Sequence, residues 1–445
     1  MSDPHQSSPI LRRAAGNAGR LLGGKASAGV MQLGTFAIAA RALGATEFGV
    51  FSVLIAQVML FAGLASFESS QAVIRYGVPH LQSGDTAAAQ ALFKAGTLLD
   101  LGAAAALAMV MTAPLFARWL GWDARLMHLA QAAAPLTFAG AIGTSKGMLR
   151  LFDRYDLLSW HSIVTPLARL MFIGAAALAG LSLGWYLAAW VIAGWLGTLA
   201  AAALAWREAH RRRLLRGLDR SVRGLGRAQP GMWRFALFAN LTGSIGLVPS
   251  HLATVIVAAV LGEGAAGAYR IGREVATGLL KPIDLVDQAI YPDLARLVHA
   301  RAWRRLVHTA VRGGAGAVMI FAGMTVLIAL AGPWLLDRIF GPAFAAAAPL
   351  LVAIGVATTV RAIAFAAEPI VYAFGRPEIS FLVSALAGAL FVSVLFWRLP
   401  RDGLGGAGWA FIVMDGTIAC LSALAAAKMV HGAARSRKTL VGDME

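Results

Sequence analysis

The chain is poor in the residues from which most catalytic and redox sites are built. It has one cysteine, Cys420, set in an apolar stretch, so no disulfide framework, thiolate metal site or redox pair can be assembled. Its nine histidines are scattered, without a His-x-x-x-His pair, and neither a metal site nor a cofactor is expected. Charge is scarce as well, at 14% of residues against 58% hydrophobic, and acidic residues are the rarer kind: 22 Asp and Glu against 39 Lys and Arg, a formal net charge of +17. The polar, basic start (MSDPHQSSPILRRAAGNAGRLLGGKAS) has no uninterrupted apolar core leading to a small-residue cleavage site, so no cleaved signal is expected. Glycine-rich runs such as Gly313–Ala317 lack the strand and Gly-Lys-Ser/Thr context of a phosphate loop and read as helix-packing surfaces.

What fills the chain instead is hydrophobic sequence in lengths that match a bilayer. Stretches such as Gly102–Gly121 and Phe381–Trp397 carry few or no charges over roughly the length that crosses about 30 Å of hydrocarbon. A backbone in lipid must satisfy its own polar groups, which makes these helices rather than strands. Hydropathy places spans near 26–42, 49–71, 95–119, 126–147, 157–181, 184–206, 232–261, 268–290, 311–335, 344–374, 377–398 and 405–430. The expected fold is an all-α polytopic membrane protein of about twelve transmembrane helices in two pseudo-symmetric six-helix bundles. Its N-terminal lobe is 1–206, its basic cytoplasmic linker 207–231 and its C-terminal lobe 232–445.

Lysine and arginine resist translocation, and with both termini inside about 28 of them fall on the cytoplasmic side against about 6 outside. The positive balance is thereby accounted for by position and by contact with anionic membrane lipid, without nucleic acid. The outer loops are short, so no catalytic domain is expected there. The two halves also share a repeat. Leu43–Gly49 (LGATEFG) and Leu261–Gly267 (LGEGAAG) match in a Leu-Gly pair and a second glycine, and Gln71–Tyr76 (QAVIRY) is answered by Gln288–Pro292 (QAIYP). Duplicated halves in parallel orientation are a transporter architecture.

The opening ARALGATEFGVFSVLIAQV (Ala40–Val58), the QAVIRYG that closes the second span, the basic mid-chain loop and the twelve-span plan resemble polysaccharide transporters and O-antigen flippases of the multidrug/oligosaccharidyl-lipid/polysaccharide (MOP) exporter superfamily. The resemblance implies two six-helix lobes about a central cavity. It also implies movement of an undecaprenyl-diphosphate-linked oligosaccharide between leaflets of the bacterial inner membrane for O-antigen, capsule or exopolysaccharide synthesis, alongside a polymerase and glycosyltransferases. The multidrug branch, an organic-cation antiporter of the same architecture, is the alternative.

Ionisable groups deep in the bilayer cost roughly 2.5 to 3.5 kcal/mol each on the insertion scale, so they mark a cavity or an ion pair. Arg169, Lys281 and Arg361 fall near the midplanes of the fifth, eighth and tenth spans, and Asp415 near that of the twelfth. Arg270, Arg273, Glu274, Lys281, Asp284 and Gln288 share one face of the eighth span, with Pro282 bending it. The cations Arg169, Arg270, Arg273, Lys281 and Arg361 are the expected holders of a diphosphate, because charge-assisted bonds can replace its hydration. The competing reading pairs Arg270 with Glu274 and Lys281 with Asp284 along the helix. Glu68, Asp100, Glu274 and Asp415 are candidates for coupling to H+ or Na+, or for charge pairing. His251, after Pro249, is a weaker candidate. A membrane-embedded transferase would need acids or bases on a substantial outer loop, and a scaffold gives no reason for midplane cations. No enzymatic step is expected.

Overall fold

The computed structural model describes residues 7–66, 69–113, 124–217, 237, 240–241, 243–280, 294, 296–298 and 300–442. Every regular element among them is helical, as apolar sequence in lipid requires. Among the described residues, ten helices are long and apolar enough to cross a membrane. The expected count was about twelve. The first of the ten, Ala26–Ser83, has 58 residues and contains both of the first two expected spans, while the eighth (268–290) runs past Leu280 beyond the described residues.

The chain divides into two compact units, Met1–Leu247 and Val248–Glu445. In the first, α1 (Ser7–Ala65) is followed by α2 (Ser69–Ser83), α3 (Thr86–Thr112), α4 (Ala124–Ala133), a 3-10 segment (Ala134–Gly140), α5 (Gly143–Leu151), α6 (Tyr155–Leu178) and α7 (Leu183–Arg211). In the second, a π-helical turn (Val248–Leu252) leads into α8 (Ala253–Leu261), α9 (Glu263–Leu280), α10 (Trp303–Phe340), a 3-10 segment (Pro342–Ala347), α11 (Ala348–Ile363), α12 (Ala367–Ala373), α13 (Pro377–Asp402) and α14 (Leu404–Gly442). Of the expected linker 207–231, the described part continues α7 to Arg211 and turns as far as Gly217; the division between units lies later, at Leu247.

Gly44 interrupts α1 at φ 72°, ψ 174°, a backbone region open essentially to glycine alone. The chain reverses there. Phe36 and Phe51 would lie about 22 Å apart along a straight helix, yet both rings pack against Trp190 with centroids 5.6 Å away. Gly262 has nearly the same conformation, φ 86° and ψ 171°. It too reverses the chain, for the Tyr269 hydroxyl donates to the Pro249 carbonyl, 20 residues back, at 2.7 Å. These two glycines are the matching positions of the Leu-Gly repeat. A second pair of matching turns lies between α5 and α6 and between α12 and α13. Phe152-Asp153-Arg154-Tyr155-Asp156 and Phe374-Gly375-Arg376-Pro377-Glu378 share Phe-x-Arg-x-acid, and Asp153 and Gly375 are both left-handed, at φ 57° and 73°. The QAIYP half of the other expected repeat lies outside the described residues.

Each unit has its own core. In the first, Phe36, Phe48, Phe51, Tyr186 and Trp190 are almost fully buried and mutually packed. In the second, Tyr269 stacks on Phe411, which meets Phe391 edge-on. Large apolar side chains such as Leu178, Met319 and Leu330 point outward, the side that faces hydrocarbon in a spanning helix. Trp185 and Trp334 are likewise exposed near helix ends, where tryptophan is enriched at membrane–water interfaces.

Candidate functional site

The fourth span of each half is broken, and such interruptions free backbone groups inside a membrane only where protein or a cavity receives them. In the first unit the break is the 3-10 segment and turn between α4 and α5; in the second it is Ala364–Ala366, between α11 and α12. Charged candidates gather at both.

At the first break, Asp100 of α3 is 1% exposed, and its Oδ2 accepts the backbone N–H of Thr144, near the start of α5, at 2.8 Å. A carboxylate from another helix thus caps the freed helix end. The Ser69 and Thr144 hydroxyls stand beside it. Glycines make the closeness possible: a Cβ at Gly143 would overlap Ser69 Oγ, and one at Gly147 would come within 2.9 Å of the Ser70 backbone. Glu68, the companion candidate, lies outside the described residues.

Arg169 of α6 packs on an aromatic ring. Its guanidinium lies 3.8 Å from the centroid of the Trp190 ring, and Trp190 in turn stacks on Phe36. A desolvated cation–π contact of this kind contributes about 2 kcal/mol.

The densest cluster is in the second unit, where α9 packs beside the π-helical turn. Arg270 is 5% exposed; its Nε is 3.9 Å from Glu274 Oε2, and its Nη1 is 3.4 Å from His251 Nδ1. Arg273 Nη2 reaches the same Glu274 oxygen at 3.5 Å. Two guanidinium groups therefore share one carboxylate, and the Nε of Arg273 has no hydrogen-bond partner among the described residues. The i,i+4 pairing of Arg270 with Glu274 is present, and Arg273 draws on the same carboxylate. The remaining residues of this expected face, Lys281, Asp284 and Gln288, lie outside the described residues, as does Pro282.

At the second break the charge balance reverses. Arg361, in the last turn of α11, is 3.4 Å from Glu368 of α12 and 3.7 Å from Asp415 of α14. Arg361 and Glu368 border a cavity of about 70 Å³, whose lining also includes Phe321, Thr358, Phe365 and Ser422. One cation here faces two carboxylates.

Two features escaped the sequence reading. Glu368 stands seven residues after Arg361, two helical turns along an uninterrupted helix, and that spacing was the available signal. The other is a clamp at the first Phe-x-Arg-x-acid turn. Arg154 bonds Asp156 at 2.8 Å and the nearly buried Glu208 of α7 at 2.6 Å, and Glu208 also accepts from Arg212 at 3.0 Å. Asp156, then Glu208, hold the Arg154 pKa above its ordinary value against a smaller effect of burial. The matching turn has Arg376 on Glu378 at 2.8 Å, with both side chains more than half exposed.

Residues 15–298 match the profile of a family described as "Polysaccharide biosynthesis protein". An inner membrane protein of Escherichia coli (strain K12), YghQ, is 27% identical over 323 residues, spanning 69% of this chain and 88% of its own. Among solved structures, an inward-facing multidrug resistance MATE family transporter of the MOP superfamily superposes with a TM-score of 0.72 at 14% identity, over 92% of this chain and 96% of that one. A MOP superfamily transporter from Pyrococcus furiosus, described as having a binding pocket of reversed polarity, superposes with a TM-score of 0.58 at 15% identity, over 94% and 96%.

Proposed function

The chain belongs to the polysaccharide biosynthesis family of the MOP superfamily, a family of membrane transporters, and on that premise we propose that it is a flippase for an undecaprenyl-diphosphate-linked oligosaccharide. It moves this lipid from the cytoplasmic to the periplasmic leaflet of the bacterial inner membrane by alternating access, with both termini cytoplasmic and no chemical step of its own. The observation that carries the reading is the convergence of two guanidinium groups, Arg270 and Arg273, beside Glu274 on one helix face. A diphosphate is held by such charge-assisted donors, and the planar guanidinium of Arg273, whose Nε has no hydrogen-bond partner among the described residues, offers it a fork. The π-helical turn alongside is a distortion that recurs at functional positions. Arg169 and Lys281 are proposed to assist.

The cavity at Arg361 favours a second reading. Two carboxylates against one guanidinium, with Phe321 and Phe365 in the wall, is the chemistry that holds an organic cation. One experiment separates the two. In proteoliposomes of the full chain, a fluorescent undecaprenyl-diphosphate sugar should cross the bilayer and compete with other lipid diphosphates, while Arg273→Ala should reduce the rate at least tenfold. Export of hydrophobic cations with lipid diphosphates ignored would replace the flippase by the cation antiporter.

A further inference from the structure

Asp100 differs from the other described membrane carboxylates discussed above. Glu274 and Asp415 each lie within 4 Å of an arginine, whereas Asp100 is in no ion pair among the described residues. Its Oδ2 is occupied by the Thr144 N–H. Its Oδ1 is buried without a hydrogen-bond partner, and so are Ser69 Oγ and Thr144 Oγ1 beside it. Three oxygens from three helices, α2, α3 and α5, meet there, and none makes a hydrogen bond of good geometry. A buried polar atom left in this way costs about 1–3 kcal/mol, and an ionised carboxylate costs more. The positive end of α5 is equivalent to about half a charge and offsets only part of the carboxylate.

We propose that this junction is a sodium-ion site, with Asp100 Oδ1 supplying the charge and the Ser69 and Thr144 hydroxyls supplying neutral oxygens. The donor set is all oxygen, as a hard cation requires, and a single carboxylate matches a monovalent ion. Close approach at Gly143 and Gly96, where a Cβ would overlap Ser69 Oγ or press on Thr144 Oγ1, keeps the site small. Because Asp100 caps the free end of a broken helix, an ion on its other oxygen ties α2 and α3 to the segment that a moving fourth span must shift. The inference deepens the transporter reading by naming its coupling ion and rests on that reading for its purpose, while its test does not.

The test is 22Na+ binding to the purified full-length protein in detergent, without substrate. Wild type should bind saturably, with unlabelled Na+ but not choline displacing the label. Asp100→Asn keeps an acceptor for the Thr144 N–H and removes the charge, and should weaken binding at least tenfold. Ser69→Ala should weaken it severalfold, and both variants should melt like wild type in choline chloride. Absence of saturable binding by wild type, or undiminished binding in folded Asp100→Asn, overturns the site. Should Asp100→Asn fail to fold, Ser69→Ala decides, and undiminished binding again overturns it. A negative result leaves the flippase reading standing, since lipid-diphosphate transport under a proton gradient tests that separately.

Discussion

The two Phe-x-Arg-x-acid turns allow the clamp to be tested against an internal control. Arg154→Ala removes a two-bond fork to the exposed Asp156 and one bond to Glu208, whose side chain is 9% exposed. The first is an exposed pair, worth about 0.2–1 kcal/mol. The second is a charge-assisted bond to a nearly buried carboxylate, worth about 1.5–3 kcal/mol; with Arg154 itself 27% exposed, the lower end applies. The sum is about 2 kcal/mol, or a fall in melting temperature of roughly 4–8 °C for a unit of this size. Arg376→Ala removes only its contact with Glu378, where the two side chains are 60% and 58% exposed, and should cost about 0–1 kcal/mol. Thermal unfolding of the two purified variants, read by intrinsic fluorescence, gives the comparison. In a double-mutant cycle, Arg154→Ala and Glu208→Ala should also be non-additive by at least about 1 kcal/mol. Equal melting losses at the two turns, or an additive cycle, would refute the assignment of stability to Glu208.

Gly44→Ala and Gly262→Ala should each destabilise by about 1–3 kcal/mol through backbone strain alone, since nothing lies within 4 Å of the added Cβ; melting temperatures set against Gly174→Ala, a helical glycine in equally open space, will show it. Gly147→Ala should cost about 1–3 kcal/mol by overpacking, its Cβ being forced to 2.9 Å from both Ser70 backbone and Val73, with a drop in folded yield as the readout. Reporter fusions after Arg223 and Lys438 should signal cytoplasm and one after Gly264 periplasm, and a periplasmic signal after Arg223 would overturn the proposed orientation.

The helical class, the pairing of Arg270 with Glu274 and the Leu-Gly repeat were legible because each is local: apolar length, i,i+4 spacing and a seven-residue match. The breaks were not. Ala-Pro-Leu-Thr-Phe-Ala-Gly at 134–140 is as apolar as the helix around it, so hydropathy runs across the 3-10 segment without a signal. Asp100 illustrates the larger limit. Its partner, the Thr144 amide, is 44 residues away and belongs to the backbone, which every residue but proline carries alike. Arg361 is a similar case: Glu368 stands close to it in sequence, but Asp415 of α14 meets it only through the fold.

The reversal at Gly44 bears on how the protein is made. One residue joins two crossings, leaving no spacer in which a ribosome and translocon could finish with the first before committing the second. Phe36 and Phe51 already share Trp190 as a common partner, although that tryptophan is synthesised about 140 residues later. The first two spans therefore enter lipid as one hairpin, with their aromatic face unfinished until α7 arrives. Gly262 imposes the same order on the second unit. Insertion of the chain in pairs of helices is the expected consequence, and a defect at either glycine should surface as degradation of the nascent protein before any transport step is reached.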